Sequence, residues 1–554
     1  MKGNALTMWK KYNGIALKIA GLAAVWLLSA VLVYYWRVFY YLDARGVAWP
    51  VLTAAVAAVG TALYAVCLAA ARWVHGFAGR AAVCLAVCGL LYVFCNPPLQ
   101  VPDETSHFLR SYSISQGHLD FDADRVYPED VSRLVEAFPG AWINAHTSSG
   151  MRENDAGEEE YYTTAGYALK QYGEDGAVQG FADGFARYFS GEPAEEPAAE
   201  PLNLVIFPYL AAAAGIALAR LVGFSALGCF YAGRIANLLV YVLLAWLALR
   251  RLKRFRPMFL AVLALPMSLY MAASYNYDAI LLGCYAWAAT WFFTSEAEPV
   301  ENRDLAAFLA VFLVMNAIKP WINLLWLAAL WCVPKKNWKA RLPRWALALA
   351  AVAAAVCLSR FVDWYGVAMR VNYPEIGRQM EGADMLGQLR FVLANPLRYL
   401  AVLAGTLYEN RFFVGQLGLF GALDLPIEAI NLLSPLALLL GAVLSAPDAK
   451  ALRPRRAAGL GAWALVYGAG AITAMYITWT PVGMVRVIGL QARYFLPVFL
   501  LLGAACAVPL DRVLVPQTDG AGARCAALGA GWLLAVLGAL LLWQHCFIGP
   551  VYTI

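Results

Sequence analysis

The sequence predicts an all-α polytopic membrane protein with about 13 spans, within a range of 11–14. Three observations carry that expectation. Of 554 residues, 62% are hydrophobic and only 14% charged, and the mean hydropathy is +0.60; a water-soluble chain of this length cannot hide so much apolar surface. Apolar runs near 20 residues recur along the chain, the length a helix needs to cross about 30 Å of hydrocarbon. The charge is also divided: 96–203 is strongly acidic and the remainder strongly basic, which the net charge of +6 conceals. That division describes two sides of a membrane and not a nucleic-acid surface.

The first run follows four lysines within residues 1–18. It is too long for a signal h-region and lacks a cleavage pattern, so an uncleaved first helix is expected. The spans predicted are 14–40, 48–71, 78–95, 229–250, 257–275, 277–294, 305–318, 321–333, 344–366, 429–446, 458–478, 494–511 and 526–547. The pair 305–318 and 321–333 can also be read as one helix broken at Lys319-Pro320. Counting Lys and Arg places the N-terminus in the cytoplasm. Loops 72–80, 250–256 (RRLKRFR), 334–344 (PKKNWKARLPR), 447–456 and 511–524 then lie inside, with the acidic 295–304 as the exception. The outer side receives 96–230, 276–278, 319–320, 366–428 and 479–493. Keeping RRLKRFR inside requires the apolar run 202–222 to lie flat on the outer membrane face, where Pro201, Pro208 and Tyr209 suit an interfacial helix. The C-terminus then falls outside.

The chain divides accordingly into a three-span segment (1–95), an extracytoplasmic cap (96–228), a central bundle (229–366), a second outer loop (367–428) and a C-terminal bundle (429–554). The cap is too long and polar to be a mere connection; its Glu-, Pro- and Ala-rich stretches 153–160 and 191–200 are expected to be mobile. No internal repeat is visible, which weakens a transporter built from paired halves. Nineteen tryptophans and 29 tyrosines suit interfacial belts. The eleven cysteines fall mostly in apolar runs, with no disulfide framework or zinc spacing; Cys84 and Cys88, at i, i+4, read as small packing residues.

The stretch 96–110, NPPLQVPDETSHFLR, opens the acidic segment. Pro102 suits the first position of a helix, and Asp103 and Glu104 then fall in the first turn, where the dipole favours carboxylates. Asp103, His107 and Arg110 are spaced i, i+4, i+7 and share one face. Further ionisable residues gather on the same outer side. They are Arg234 in YAGRIANLL, Asp278 in ASYNYDAI, Lys319 in NAIKPWINLL, and Arg486, Gln491 and Arg493, followed by Tyr494, in RVIGLQARYFLP. A lone Arg or Lys at a span's edge is as often a snorkelling side chain; a short carboxylate such as Asp278 is less open to that reading. Carboxylates facing cations above a membrane fit a lipid-phosphate substrate: Arg and Lys hold the phosphate and stabilise charge on a departing one, and a carboxylate takes a proton from an attacking hydroxyl.

The series VPDETSHFLRSYSISQGHL, YAGRIANLL, ASYNYDAILL, Lys319-Pro320 and IGLQARYFLP resembles, in that order, the motifs of the DUF2142 family of bacterial membrane proteins, grouped with the GT-C glycosyltransferase superfamily. The resemblance covers nearly the whole chain. It implies a GT-C-like fold with membrane-surface helices in the first large outer loop, and sugar transfer from a polyprenyl-phosphate donor to a cell-envelope glycan or lipid at the bacterial cytoplasmic membrane. By position, Asp103 is the expected general base and Glu104 its support. Arg234, Lys319 and Arg493 are the donor-phosphate ligands by side and charge, with His107, Arg110, Asp278, Arg486, Gln491 and Tyr494 completing the substrate site. Some GT-C enzymes use a divalent metal ion and others do not; Asp103, Glu104, His107 and Asp278 are the candidate ligands. The alternatives are a transporter or flippase for a lipid-linked saccharide, which needs polar residues along the spans, and an envelope glycan polymerase or ligase.

Overall fold

The computed structural model describes residues 2–39, 48–138, 147–153, 159–165, 169–172, 178–179, 181–201, 206–294, 299–371, 382–421, 425–449, 452–513, 520–548 and 552–553. The chain opens with α1 (Lys2–Phe39), α2 (Trp49–Trp73) and α3 (Phe77–Cys95). The acidic segment holds α4 (Glu104–Ser115), α5 (Glu129–Ala137) and α6 (Phe181–Ser190). A hairpin follows, α7 (Leu210–Leu221) and α8 (Ala226–Arg251). Next come α9 (Arg256–Leu263), α10 (Pro266–Ala272), α11 (Asp278–Ala289), α12 (Trp291–Thr294), α13 (Asn302–Ile318), a 3-10 helix (Ile322–Cys332) and α14 (Arg344–Ala368). The chain closes with α15 (Met385–Ala394), α16 (Pro396–Glu409), α17 (Glu428–Ala449), α18 (Pro454–Thr478), α19 (Leu496–Val513) and α20 (Gly520–Trp543).

Nine of the described helices are long and apolar enough to cross a membrane, and ten if α15 and α16, bent by 108° at Asn395, count as one. They surround a core at α9–α11. Every residue of α10 is buried, and every residue of α11 from Asp278 to Ala289, so these helices are apolar on all faces and read as continuous hydrophobic runs. The periphery is inverted relative to a soluble protein: Trp26, Leu27, Trp345, Leu349, Phe361 and Trp364 point outward, as a lipid solvent permits.

Four expected spans are shorter or irregular. The run 257–275 is divided into α9 and α10 at Leu265-Pro266, because proline cannot donate to the helix and clashes with the preceding turn. The run 321–333 is a 3-10 helix of 11 residues. Its rise of about 2.0 Å per residue carries it about 22 Å, where an α-helix would reach about 16 Å; the tighter winding matches it to the 17-residue α13 beside it.

Contacts sort the helix ends into two groups. At one end Arg251 pairs with Asp304 at 3.5 Å, the Phe255 N–H donates to Asp448 at 2.7 Å, and Arg456 donates to the carbonyls of Phe292 and Cys332 at 3.0 and 3.1 Å. This end carries RRLKRFR. The other end holds Asp278, the Lys319-Pro320 break, Arg493 and the acidic segment. There β1 (Phe121–Asp122) runs parallel to the strand Arg370–Val371, and the strand Tyr552–Thr553 pairs with β3 (Glu159–Ala165).

Three features fill in the acidic segment and the run after it. In the described part of the run 202–222, α7 folds back along α8 as a helical hairpin. At Gly215 a Cβ would come within 2.6 Å of the Ala232 carbonyl oxygen, next to Ala236. The acidic segment also holds an antiparallel ladder between β2 (Thr147–Glu153) and β3, from Thr147↔Ala165 to Glu153↔Glu159, where Thr and Tyr suit a pleated surface. The stretch 191–200 ends in a buried Glu200 that holds Arg125 at 2.7 Å, so it is anchored at that end; of the other stretch expected to be mobile, 154–158 lies outside the described residues.

Candidate functional site

The site is built on the loop between α10 and α11. Asn237 of α8 donates to the carbonyls of Ser274 (2.7 Å) and Asn276 (3.3 Å). Asn276 donates from its backbone to Ser274 Oγ at 3.1 Å and accepts from the Asp278 N–H at 2.8 Å. YAGRIANLL and ASYNYDAILL therefore interlock, and the product is a fixed Asp278 at the first turn of a buried helix. Its carboxylate lies between two cations: Lys319 Nζ is 2.5 Å from Oδ1 and Arg493 Nε is 2.6 Å from Oδ2. The Arg493 contact has ion-pair distance without the alignment of a hydrogen bond.

Irregular backbone delivers both cations. Lys319 terminates α13 and is followed by Pro320 and by Trp321 at φ 69°, a left-handed conformation uncommon outside glycine. Asn323 fixes the break by donating to the carbonyls of Met315 and Lys319 at 2.9 and 2.7 Å. Arg493 lies in the 3-10 turn Ala492–Phe495 that opens α19. The Tyr494 ring lies 4.0 Å from Lys319 Nζ and the Tyr277 ring 5.6 Å, within cation–π range.

Above this cluster, His107 of α4 shares a hydrogen bond with Tyr209 through Nδ1 at 2.7 Å. Its ring packs against Tyr277 at 5.3 Å. Burial, and then the positive charge of Arg493, push its pKa down to about 3, so the imidazole is neutral at physiological pH. The cluster then holds two cations and one carboxylate. Among the described residues no second carboxylate pairs with Lys319 or Arg493, and one positive charge is left uncompensated.

Glu104 and Arg234 do not join this cluster. They form a fully buried bidentate pair, Nε to Oε1 at 2.9 Å and Nη2 to Oε2 at 2.7 Å. Arg234 spends its other N–H groups on the carbonyls of Val93 (3.0 Å), Asn96 (2.8 Å) and Pro97 (2.9 Å). Glu104 also accepts the Tyr275 N–H at 3.2 Å. All five guanidinium donors are used, so Arg234 is a clamp joining α3, the 96–103 turn, α4 and the Asp278 loop, and has no donor left for a phosphate.

The remaining expected residues are dispersed. Pro102 is not the first helical residue; α4 starts at Glu104, with Asp103 exposed as its N-cap at φ 61°, and the His107 N–H donates to the Asp103 carbonyl at 3.0 Å. Asp103 is thus one turn from His107. Arg110 points away, to the carbonyls of Leu119 and Asp120 at 2.8 and 2.9 Å and towards Glu200 at 3.9 Å. Arg486 pairs with Glu409 at 2.5 Å on the surface, and Gln491 only precedes the turn that carries Arg493. Of the candidate metal ligands Asp103, Glu104, His107 and Asp278, two already have charged partners. Glu104 is held by Arg234, Asp278 faces two cations, and among the described residues no three His, Cys, Asp or Glu side chains converge as a metal would need. Tyr209, Tyr277 and Asn237 are site residues that sequence reasoning missed; Tyr277 was signalled only by its place beside Asp278.

Residues 202–502, just over half the chain, match the family model described as "Predicted membrane protein (DUF2142)". That stretch includes Arg234, Asp278, Lys319 and Arg493, and stops short of Asp103 and His107. No curated protein and no solved structure matches the chain.

Proposed function

The chain belongs to the DUF2142 family of predicted membrane proteins, and from its site we propose that it is a GT-C-type glycosyltransferase of the bacterial cytoplasmic membrane. It moves a sugar from a polyprenyl-phosphate donor to a cell-envelope acceptor. The observation that carries this is the charge count around Asp278: Lys319 and Arg493 against one carboxylate. An excess of one positive charge in a buried setting is costly until an anion arrives, and the phosphodiester of such a donor carries one negative charge. The four short segments (α9–α10, α11–α12, α13 and the 3-10 helix) run between the same two groups of helix ends as the nine long helices. Counting them as crossings brings the number to thirteen, and taking the basic turns 250–256 and 334–344 as cytoplasmic puts the site outside in this reading.

In this reading the acceptor hydroxyl attacks the anomeric carbon, its oxygen forms the new glycosidic bond, and the sugar–phosphate bond breaks. The electron pair stays on the phosphate oxygen, where Lys319 and Arg493 are placed to stabilise the developing charge. Asp103, exposed and one turn from His107, takes the acceptor's proton. Glu104 and Arg234 position that turn.

The test is purified protein in liposomes with defined polyprenyl-phosphate sugars, read by mass spectrometry of the product. Asp103→Asn should lower turnover by about 10²–10⁴, the range for a general base; wild-type turnover would remove Asp103 from that role. Donor binding without any transfer product would favour the transporter or flippase reading.

A further inference from the structure

A second concentration of positive charge lies at the opposite end of the bundle, where neither the Asp278 cluster nor the clamp reaches. The turn from α8 to α9 is held open by α17: Phe255, at φ 60°, donates its N–H to Asp448 Oδ2 at 2.7 Å, and the Met258 N–H donates to Ser445 Oγ at 3.0 Å. A left-handed conformation at a phenylalanine persists only when its surroundings over-determine it, so the basic turn is rigidly presented. Between this turn, the end of α17 and the start of α20 is a shallow depression of about 20 Å³, room for about one water molecule, that opens outward. Lys253, Arg256 and Arg524 line it with Asp448, against a floor that includes Leu444 and Ala523.

Two guanidiniums there, Arg256 and Arg524, face one carboxylate, part of whose capacity is spent on the Phe255 N–H. Arg256 anchors its Nε on the Leu252 carbonyl at 2.6 Å, and among the described residues neither Arg256 nor Arg524 forms an ion pair. The two guanidiniums also oppose one another: burial and then Arg524 push the Arg256 pKa below its ordinary value, against the pull of Asp448. The first turn of α20 adds the positive end of a helix dipole. An ordinary basic membrane face spreads its charges into water; here they converge on a depression between helix ends with an apolar floor.

We propose that this recess binds a phosphate-bearing anion, in the membrane the headgroup of an acidic phospholipid. The site is independent of the glycosyltransferase reading. The test uses full-length protein in nanodiscs and in detergent, titrated with phosphatidylglycerol, phosphatidylcholine and inorganic phosphate, with retained lipid read by native mass spectrometry and stability by thermal unfolding. Wild type should retain phosphatidylglycerol over phosphatidylcholine. Arg256→Gln with Arg524→Gln should lower that retention about twenty-fivefold, from about fivefold per neutralised charge. The exposed Lys253→Gln gives a milder loss in a variant with little risk to folding. Lys335→Gln with Lys336→Gln, two exposed charges at the same end but outside the recess, should leave retention unchanged. Stabilisation of wild type by inorganic phosphate but not by the lipid would keep the site and make its source soluble. Equal retention in wild type and the recess variants, or an equal loss in the Lys335 and Lys336 variant, would overturn the proposal.

Discussion

Replacing Glu104 by alanine separates a structural clamp from a catalytic acid. The carboxylate receives two charge-assisted hydrogen bonds from Arg234, at 2.9 and 2.7 Å, and both side chains are fully buried. Each such bond contributes about 1.5–3 kcal/mol, so their loss is about 3–6 kcal/mol, in line with the roughly 3–5 kcal/mol for breaking a buried pair from one side. Glu104→Ala should therefore cost about 3–5 kcal/mol, because Arg234 is left charged in a dry site. Arg234→Met should be at least as harmful, since it strands Glu104 and three carbonyls. The double variant should recover part of the loss, because no lone charge remains. The assay is unfolding of the four proteins by SDS titration in bicelles, analysed as a double-mutant cycle. Single-variant losses below about 1 kcal/mol, or a cycle without coupling, would refute the clamp; lost turnover at unchanged stability would restore a catalytic role to Glu104.

Three further outcomes follow from the geometry. His107 titrates near 6.5 when unfolded and near 3 when folded; between those values the unfolded state binds more protons. Stability is therefore full above pH 6.5 and falls with pH by about 1.4 kcal/mol per unit, a slope that His107→Gln should flatten and whose persistence in that variant would count against the burial argument. Gly233→Ala would put a Cβ 2.0 Å from the Tyr275 hydroxyl, displacing the backbone that donates to Glu104; a loss of about 1–3 kcal/mol is expected, and a neutral result in the same titration would show that Tyr275 can move freely. Asp130 accepts from Arg220 at 2.7 and 2.9 Å. Although burial raises its pKa, the Arg220 hydrogen bonds and charge more than offset that, and the net shift is downward. The resulting stability is present above the unfolded value of 3.8 and lost as pH falls below it. Asp130→Asn should remove that acid-sensitive part, measured as a shallower loss of structure below pH 4.

The spans were legible because length and apolarity are local properties: all nine long helices fall on expected runs. The Asp278 cluster was legible for a related reason. A short carboxylate and two cations at the edges of apolar runs need partners, and here they partner each other across 41 residues for Lys319. The pairing of Glu104 with Arg234 was not legible, since it joins residues 130 apart and adjacent carboxylates at a helix start look alike; only tertiary packing turns Glu104 inward and leaves Asp103 exposed. Arg486 shows the opposite failure, a charge beside the motif that simply pairs with Glu409 on the surface. The 3-10 winding of 322–332 was hidden too, because its composition is that of any apolar helix and its pitch is imposed by the distance it must cover.

Lys319 and Arg493, gathered on Asp278, are the proposed anion site. The decisive measurement is calorimetric binding of a short-chain polyprenyl phosphate to purified wild type, Lys319→Gln, Arg493→Gln and Arg486→Gln. The expected result is about a tenfold to hundredfold weaker Kd for each of the first two variants, from the strength of one charge-assisted hydrogen bond, and no change for Arg486→Gln. Wild-type affinity in the Lys319 and Arg493 variants, or an equal loss at Arg486, would rule the site out.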